Sequence, residues 1–374
     1  TNIPNFYIEN LPKKLNFYDI VNRPKSNINQ SLFIKEIKNQ SILVTGGGGS
    51  IGSEICVQLF RFKPKTLYIL DNSEINLFKT INKLKDLKKT FLTKIIPVLG
   101  DCSDKNFILN SFMKREIDLI FHAAAYKHVN FGEENIYSII KNNIFGTREI
   151  IELSVKKNVK KFVFISSDKA VNPKSNLGYT KKIGEILTND YYKFYSKKIK
   201  TSFTIVRFGN VIGSSGSVIP IFLDQLSKNK QLTLTHKKVQ RYFMSVEEAV
   251  ELVLQSSFMT KKGLKIFALD MGKQIKIFDI AKRIILLSGN TLKDSKNIKG
   301  DIPIKIIGLK KGEKLSEEIT LGKNLVRTKH PKILLCEENL KNSNYKERIF
   351  NLEKNVTIDR FNKKFLKQYL ETIS

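Results

Sequence analysis

The tract Ile165-Ser-Ser-Asp-Lys-Ala170 concentrates more chemistry than any other stretch of this 374-residue chain. Two serines close a β-branched and aromatic run, and a carboxyl and an amine, Asp168 and Lys169, follow at once. Adjacent acid and base groups at a strand end suit proton transfer to and from a bound molecule. A solvated turn uses the same residue types, but the strand-end position favours a site. A lysine works as a base only where burial or neighbouring cations favour the neutral amine. Farther along, Leu177-Gly-Tyr-Thr-Lys181 opens a helical stretch. Leu177 has no proton to give or take. Tyr179 lies two residues on, turned by about 200° around the helix, and reads as structural.

A second constellation binds rather than reacts. Thr45-Gly-Gly-Gly-Gly-Ser-Ile-Gly52 follows an apolar strand and opens a helix. Gly46, Gly49 and Gly52 give the tight turn, the close backbone approach to a pyrophosphate and the close helix–strand contact of a dinucleotide site. Ser50 and Ile51 then place backbone N–H groups at the helix start, where an anion is favoured. A merely flexible glycine loop is the bland alternative, and the flanking strand and helix speak against it. Asp71 closes the next strand, 19 residues past Gly52. A carboxylate there meets ribose hydroxyls and repels a 2′-phosphate, which favours NAD and leaves NADP open. Asp101 ends the third strand, where it meets either adenine or the N-terminus of the following helix. His122-Ala-Ala-Ala125 ends the fourth with small residues, Ala123 and Ala124 among them, that let a cofactor approach. His122 itself reads as a packed strand-end histidine.

These motifs need a scaffold that brings strand ends together. From Gln40 onward strands alternate with helices: Ile42–Thr45, Thr66–Leu70, Ile95–Leu99, Leu119–Phe121, Lys161–Ile165 and Ser202–Val206 are strand candidates. Helical stretches such as Glu54–Phe60, Ile136–Val155 and Thr180–Lys193 separate them. That alternation predicts an α/β fold, a Rossmann-type doubly wound parallel sheet with a smaller mixed α/β substrate lobe C-terminal to it. The expected division is an N-terminal arm over 1–38, a dinucleotide-binding domain over 39–208 completed by parts of 241–275, and a substrate lobe over most of 209–374. Beyond Gly209 a Gly/Ser-rich loop, a helix, a hairpin-like polar stretch to Val239, a helix over Val246–Ser256 and a strand at Ile266–Ala268 are expected.

Bulk properties exclude several classes. The net charge of +30 invites a nucleic-acid reading. The lysines are spread along the whole chain among Ile and Asn, however, as solvent-facing filling would place them. Charge speaks to non-specific attraction, here toward nucleotides or an anionic membrane face, and not to fold. Cys56, Cys102 and Cys336 lie far apart and read as reduced thiols. The four histidines lack metal-ligand spacing, so no metal is expected. No run of 18 apolar residues and no signal-like start appear, which gives an expected cytoplasmic location, with the inner membrane face as an alternative.

Taken together, the motifs resemble the extended short-chain dehydrogenases/reductases. They are most similar to the UDP-N-acetylglucosamine 4,6-dehydratases of polysaccharide biosynthesis. The resemblance covers roughly residues 17 to 340. It rests on the arm's Ile20-Val-Asn-Arg-Pro24, His122-Ala-Ala-Ala-Tyr-Lys-His-Val129, the Ser-Asp-Lys tract with Asn172-Pro173, Val206-Arg-Phe-Gly-Asn210 through Pro220, Arg241-Tyr-Phe-Met244 and Gly312-Glu-Lys-Leu315. Many long relatives carry a transmembrane region before the arm. This chain, which starts without methionine, is expected to be a short form or a piece lacking that region.

The resemblance implies oxidation of the sugar at C4, loss of the C5 proton and of water from C6, and hydride return to C6. It places Lys181 on the nicotinamide ribose and Leu177 where a tyrosine usually stands. Relatives without the tyrosine tend to retain the C5 configuration. Asp168 is then the acid for the 6-hydroxyl, Lys169 the C5 base, and Ser167 the group that orients the 4-hydroxyl. Lys127, Arg207, Asn210, Arg241 and Glu313 are the expected substrate contacts: Arg207, Asn210 and Arg241 for the diphosphate, whose oxygens an arginine fork fits, and Glu313 with Lys314 for the nucleoside end. Arg207 and Glu313 serve equally well as salt-bridge partners. Asn143 matches an asparagine that braces the site's backbone. A UDP-sugar substrate and a homo-oligomer are expected. Rival readings are a sugar epimerase or reductase, a non-catalytic dinucleotide-binding regulator and, more distantly, a basic nucleic-acid binder.

Overall fold

A computed structural model describes residues 31–87, 92–214, 216–228, 230–320 and 325–338, single positions between 340 and 354, and 363–373. The arm's Ile20-Val-Asn-Arg-Pro24 lies outside the described residues, and of the arm only the helix Ser31–Ile37 and Lys38 fall inside them.

Six parallel strands follow the sequence expectation to within a residue or two: β1 (Ser41–Thr45), β2 (Thr66–Asp71), β3 (Lys94–Leu99), β4 (Leu119–His122), β5 (Lys161–Ile165) and β6 (Ser202–Arg207). They pair in the order β3-β2-β1-β4-β5-β6, so the direction of winding reverses between β1 and β4. Ligands of such sheets bind outside the carboxyl ends of the strands at that reversal. The central strands are buried at every position, as parallel strands covered by helices on both faces must be. The edge strand β3 is partly exposed and tolerates Pro97, which can give no ladder hydrogen bond.

The sheet continues past β6. Leu264–Leu269 pairs parallel to β6, Ile333–Cys336 pairs antiparallel to Leu264–Leu269, and Leu325–Arg327 pairs antiparallel to Ile333–Cys336 at the sheet edge. Leu43, Ile120, Phe162, Phe164 and Phe203 from the sheet pack with Ile144, Ile150, Ile183 and Leu187 from the helices. Each fully buried side chain of this size contributes about 1.5–3 kcal/mol before entropy is charged against it.

The chain divides into two compact units. The sheet unit comprises 31–208 together with Val250–Asp270 and the part of the chain after Glu318. The stretch 209–374, expected to be mostly a separate lobe, is divided between the two units. Its last portion returns to the sheet, because the two antiparallel strands complete that edge. The smaller unit comprises Gly209–Ala249 and Met271–Glu317 and has its own core of Phe222, Leu232, Ile277, Ile280 and Ile284. Here too the reading of a hairpin before Val239 fails. Leu232–Leu234 pairs parallel to Ile302–Ile306, a partner far away in the chain that no local turn signal announces. Among the described residues, no helix is long and apolar enough to cross a membrane.

Candidate active site

The glycine loop leaves β1 at Gly46, whose φ of +65° suits glycine. A Cβ there would stand 2.6 Å from the Ala124 backbone, so Ala123 and Ala124 at the end of β4 lie directly against the loop. A Cβ on Gly52 would collide with the Gly46 carbonyl oxygen. The helix Ser50–Arg61 can start this close to the strand only because residue 52 has no side chain. Gly49 caps that helix without a side-chain hydrogen bond, which leaves its first turn to an outside acceptor. Asp71 Oδ2 accepts from the Gly48 N–H at 2.8 Å and Oδ1 from the Ser73 N–H at 2.8 Å. The acidic residue thus shapes the loop and places a negative charge beside it. This cradle fits a dinucleotide and closes against any side chain of its own.

The neighbouring strand ends are less open than the sequence suggested. Asp101 Oδ1 accepts from both the Ser103 N–H and Oγ, closing a local turn. The helix Lys105–Phe112 is capped instead by Asp104, which accepts from the Phe107 N–H. His122 is fully buried. Its ring nitrogens lie 2.7 Å from Thr45 Oγ1 and 2.9 Å from Thr147 Oγ1, and its ring stacks with Phe162 and Phe164. Burial, aided by the nearby Lys181 charge, pulls it down to about 3, so the neutral imidazole serves packing.

The acid–base tract extends the β5–β6 pairing. Ser166 N–H donates to Val206 O and Asp168 N–H to Phe208 O, which fixes the tract past the end of both strands. Asp168 is fully buried. Its Oδ1 accepts from Ser167 Oγ and from Lys169 Nζ, both at 2.9 Å. Its Oδ2, equally buried, has no hydrogen-bond partner among the described residues. A buried carboxylate oxygen left open at a strand end can accept a bond from a ligand group.

The helix Asn176–Tyr195 carries the next two residues. Ser175 caps it by accepting from the Gly178 N–H. A Cβ at Gly178 would stand 2.5 Å from the Lys169 carbonyl oxygen, so the helix start is pressed onto the Asp168–Ala170 turn. Leu177 is buried. Lys181 is buried as well, with Nζ donating to Ile165 O at 2.7 Å and lying 5.0 Å from the centre of the Phe164 ring. Burial pulls Lys181 down to about 8 against the opposing charge of Glu185. Tyr179 points elsewhere, its hydroxyl 3.4 Å from Glu371 on the helix Lys363–Ile373.

Asn143 sits in a π-helical turn, Lys141–Phe145, that interrupts the stretch read from sequence as one helix. The wider turn aims its amide at three partners. Oδ1 accepts from the Tyr126 N–H, and Nδ2 donates to Tyr126 O and to Thr180 Oγ1. Thr180 in turn donates to Leu177 O. The Tyr126–Lys127 backbone is thereby tied to the turn that bears Leu177.

The expected substrate contacts separate. Lys127 is exposed beside this brace, and desolvation lowers its affinity for a proton. Arg207 must be corrected. It is fully buried and its guanidinium is taken up by Glu185 and Glu338, so it holds carboxylates of the sheet unit and not a diphosphate. In the smaller unit, Arg241 Nη1 and Nη2 donate to the carbonyls of Gln240, Leu315 and Lys314, and Nη2 lies 3.5 Å from Glu313. Glu313 also accepts from Thr235 Oγ1 and the Lys310 N–H. This pair braces the loop around Gly312. Asn210 begins the short strand Asn210–Ile212 of the same unit. Sequence reasoning missed Ser166, Glu185 and Glu338. A glutamate four residues after Lys181, between Ile183 and Ile186, was the available signal.

Comparison with known proteins gives the family. The family profile described as "Polysaccharide biosynthesis protein" matches residues 42–338. The chain belongs to that family. It is 41% identical over 321 residues to "Capsular polysaccharide biosynthesis protein CapD" of Staphylococcus aureus, covering 85% of this chain and 51% of that protein. It thus spans about half the length of the first curated relatives it matches. It is 33% identical to "UDP-N-acetylglucosamine 4,6-dehydratase (inverting)" of Campylobacter jejuni subsp. jejuni serotype O:2, over 74% of this chain and 76% of that one. The X-ray structure of Pen from Bacillus thuringiensis superposes with a TM-score of 0.72 at 31% identity, covering 86% of this chain and 98% of that chain.

Proposed function

We propose that this family member is an NAD-dependent nucleotide-sugar 4,6-dehydratase that acts on UDP-N-acetylglucosamine and retains the C5 configuration. The observation that carries the reading is the buried Asp168, paired with Lys169 through Oδ1 and unpartnered at Oδ2 among the described residues, beside a helix start that offers Leu177 in place of a phenol. The 33% identical relative named as a dehydratase supports the reaction class.

The glycine cradle, Asp71 and the uncapped helix start would hold the dinucleotide, with the Asp71 charge favouring a free 2′-hydroxyl. A bound dinucleotide would supply the acceptor, and then the donor, for the hydride that leaves C4 of the sugar and returns at C6. Lys181, fixed through Ile165 O, would offer its ammonium to the ribose hydroxyls. Lys169 Nζ takes the C5 proton once a ketone stands at C4. Asp168 gives its carboxyl proton from Oδ2 to the departing 6-hydroxyl, so one water leaves. The contact between Nζ and Oδ1 passes the C5 proton on to Asp168 and restores the acid. Lys169, with 19% of its side chain exposed, exchanges with solvent and returns a proton to the same face of C5. Ser167 orients the 4-hydroxyl, whose proton passes to solvent as C4 becomes a ketone and balances the proton that Lys169 takes up from solvent for C5.

Incubation with UDP-N-acetylglucosamine in D2O, followed by NMR of the product, tests this directly. The expected product is a 4-keto-6-deoxy sugar with deuterium at C5 and the original C5 configuration. Formation of UDP-N-acetylgalactosamine would replace the reading with epimerisation. An inverted C5 would refute retention.

A further inference from the structure

Behind the acid–base tract lies an ionic cluster that the proposed reaction does not use. Glu185 follows Lys181 by one helical turn. Its Oε1 accepts from Ser166 Oγ at 2.6 Å and from Arg207 Nε at 2.7 Å, and its Oε2 from Arg207 Nη2 at 2.7 Å. The other side of the guanidinium reaches Glu338, with Nη1 to Oε1 at 2.7 Å and Nη2 to Oε2 at 2.8 Å. The Arg207 and Glu185 side chains are fully buried and Glu338 nearly so.

Stability alone accounts poorly for such a cluster, since packed apolar residues generally replace buried ion networks at no loss. Its connections point to the site instead. Ser166 adjoins Ser167 and Asp168, and its N–H is bonded to Val206 O, next to Arg207. Glu185 supplies the negative charge that favours the Lys181 ammonium. Glu338 comes from the segment just past Ile333–Cys336, 131 residues after Arg207.

We propose that Glu338, acting through Arg207 and Glu185, is a positioning residue that fixes Ser166 and Lys181 at the end of β5. The last strand of the sheet is then a working part of the site. The charged and titratable groups around Lys181 are Glu185 on its own helix and His122 on β4. Behind Glu185 stand Lys182 at 3.9 Å, Arg207 and Glu338. Removing the Glu338 charge leaves Arg207 less balanced, which disfavours the Lys181 ammonium.

The turnover arm of the test rests on the dehydratase reading, while the exchange arm stands without it. In Glu338→Gln, amide hydrogen exchange at Ser166 and Asp168 should accelerate while amides of β1 and β2 keep their rates. With UDP-N-acetylglucosamine, kcat should fall about 10- to 100-fold at nearly constant KM, as misplacement of catalytic groups does. The alkaline limb of the kcat profile should move to lower pH. Ser166→Ala, which removes only the link from the tract to Glu185, should show the same local exchange and serves if Glu338→Gln does not fold. Unchanged exchange at Ser166 and Asp168, or uniform acceleration across the sheet with normal kcat per folded molecule, overturns the proposal. A wild-type protein without turnover would refute the dehydratase reading and leave the exchange result to decide on the clamp.

Discussion

Lys169 Nζ lies 2.9 Å from Asp168 Oδ1, while Asp168 Oδ2 is buried with no hydrogen-bond partner among the described residues. One oxygen of the carboxyl is thus committed to its base and the other is kept for a guest. In the proposed reaction this asymmetry would separate the two proton-transfer roles within adjacent residues and let the pair work without a phenol at position 177.

Asp168→Asn and Lys169→Met should each lower turnover by about 10²–10⁴-fold, the usual worth of a positioned acid or base. NADH binding, followed by fluorescence, should survive both. Near-normal turnover in both variants would remove the pair from the mechanism.

Leu177→Met conserves volume and should cost under about 1.5 kcal/mol of stability with turnover kept. Tyr179→Phe should likewise leave kcat unchanged, since its hydroxyl is directed to Glu371. Loss of activity in Tyr179→Phe, measured by product formation, would return the missing proton acceptor to that residue.

Gly52→Ala should abolish dinucleotide binding, because the new methyl collides with the Gly46 carbonyl that shapes the cradle. Gly178→Ala should instead push the Lys169 carbonyl and lower kcat with dinucleotide affinity retained. Calorimetric titration with NAD separates the two outcomes.

Lys181 is pulled down to about 8 by burial, with Glu185 opposing. The unfolded chain holds that proton up to about pH 10.4. Between about 8 and 10.4 the unfolded state therefore binds more protons, and this group adds stability as pH rises through the window, its burial penalty being full below it. Function runs the other way. On the proposed role the ammonium that would meet the ribose is lost above about pH 8, so NAD affinity should fall there. In Lys181→Met, affinity should be lower and flat with pH. A wild-type affinity that stays constant through this range would refute the role.

Much of this was legible in the chain. Strands of the parallel sheet are local apolar runs with turn signals at their ends, and the glycine loop states its own backbone demands. The burial of His122 and the outward turn of Tyr179 also followed from position. What escaped has a common physical character. The parallel pairing of Leu232–Leu234 with Ile302–Ile306 and the return of Ile333–Cys336 to the sheet are long-range events without local marks. Arg207 looks from sequence like a phosphate ligand because a guanidinium fork fits either anion. Only the fold shows that two carboxylates reached it first. The π-turn at Asn143 is set by its partners Tyr126 and Thr180, not by propensity.

The antiparallel edge also bears on how the molecule is built during synthesis. The strands flanking the glycine cradle leave the ribosome early, and Arg207 emerges with only Glu185 already made. Burying a guanidinium with half its partners absent is costly. The end of β6 should therefore stay open to water until Glu338 arrives, and the sheet should close from its centre toward the 325–336 edge. A nascent chain halted before residue 338 would carry a finished nucleotide cradle and an unfinished acid–base tract, able to hold a dinucleotide but not to use it.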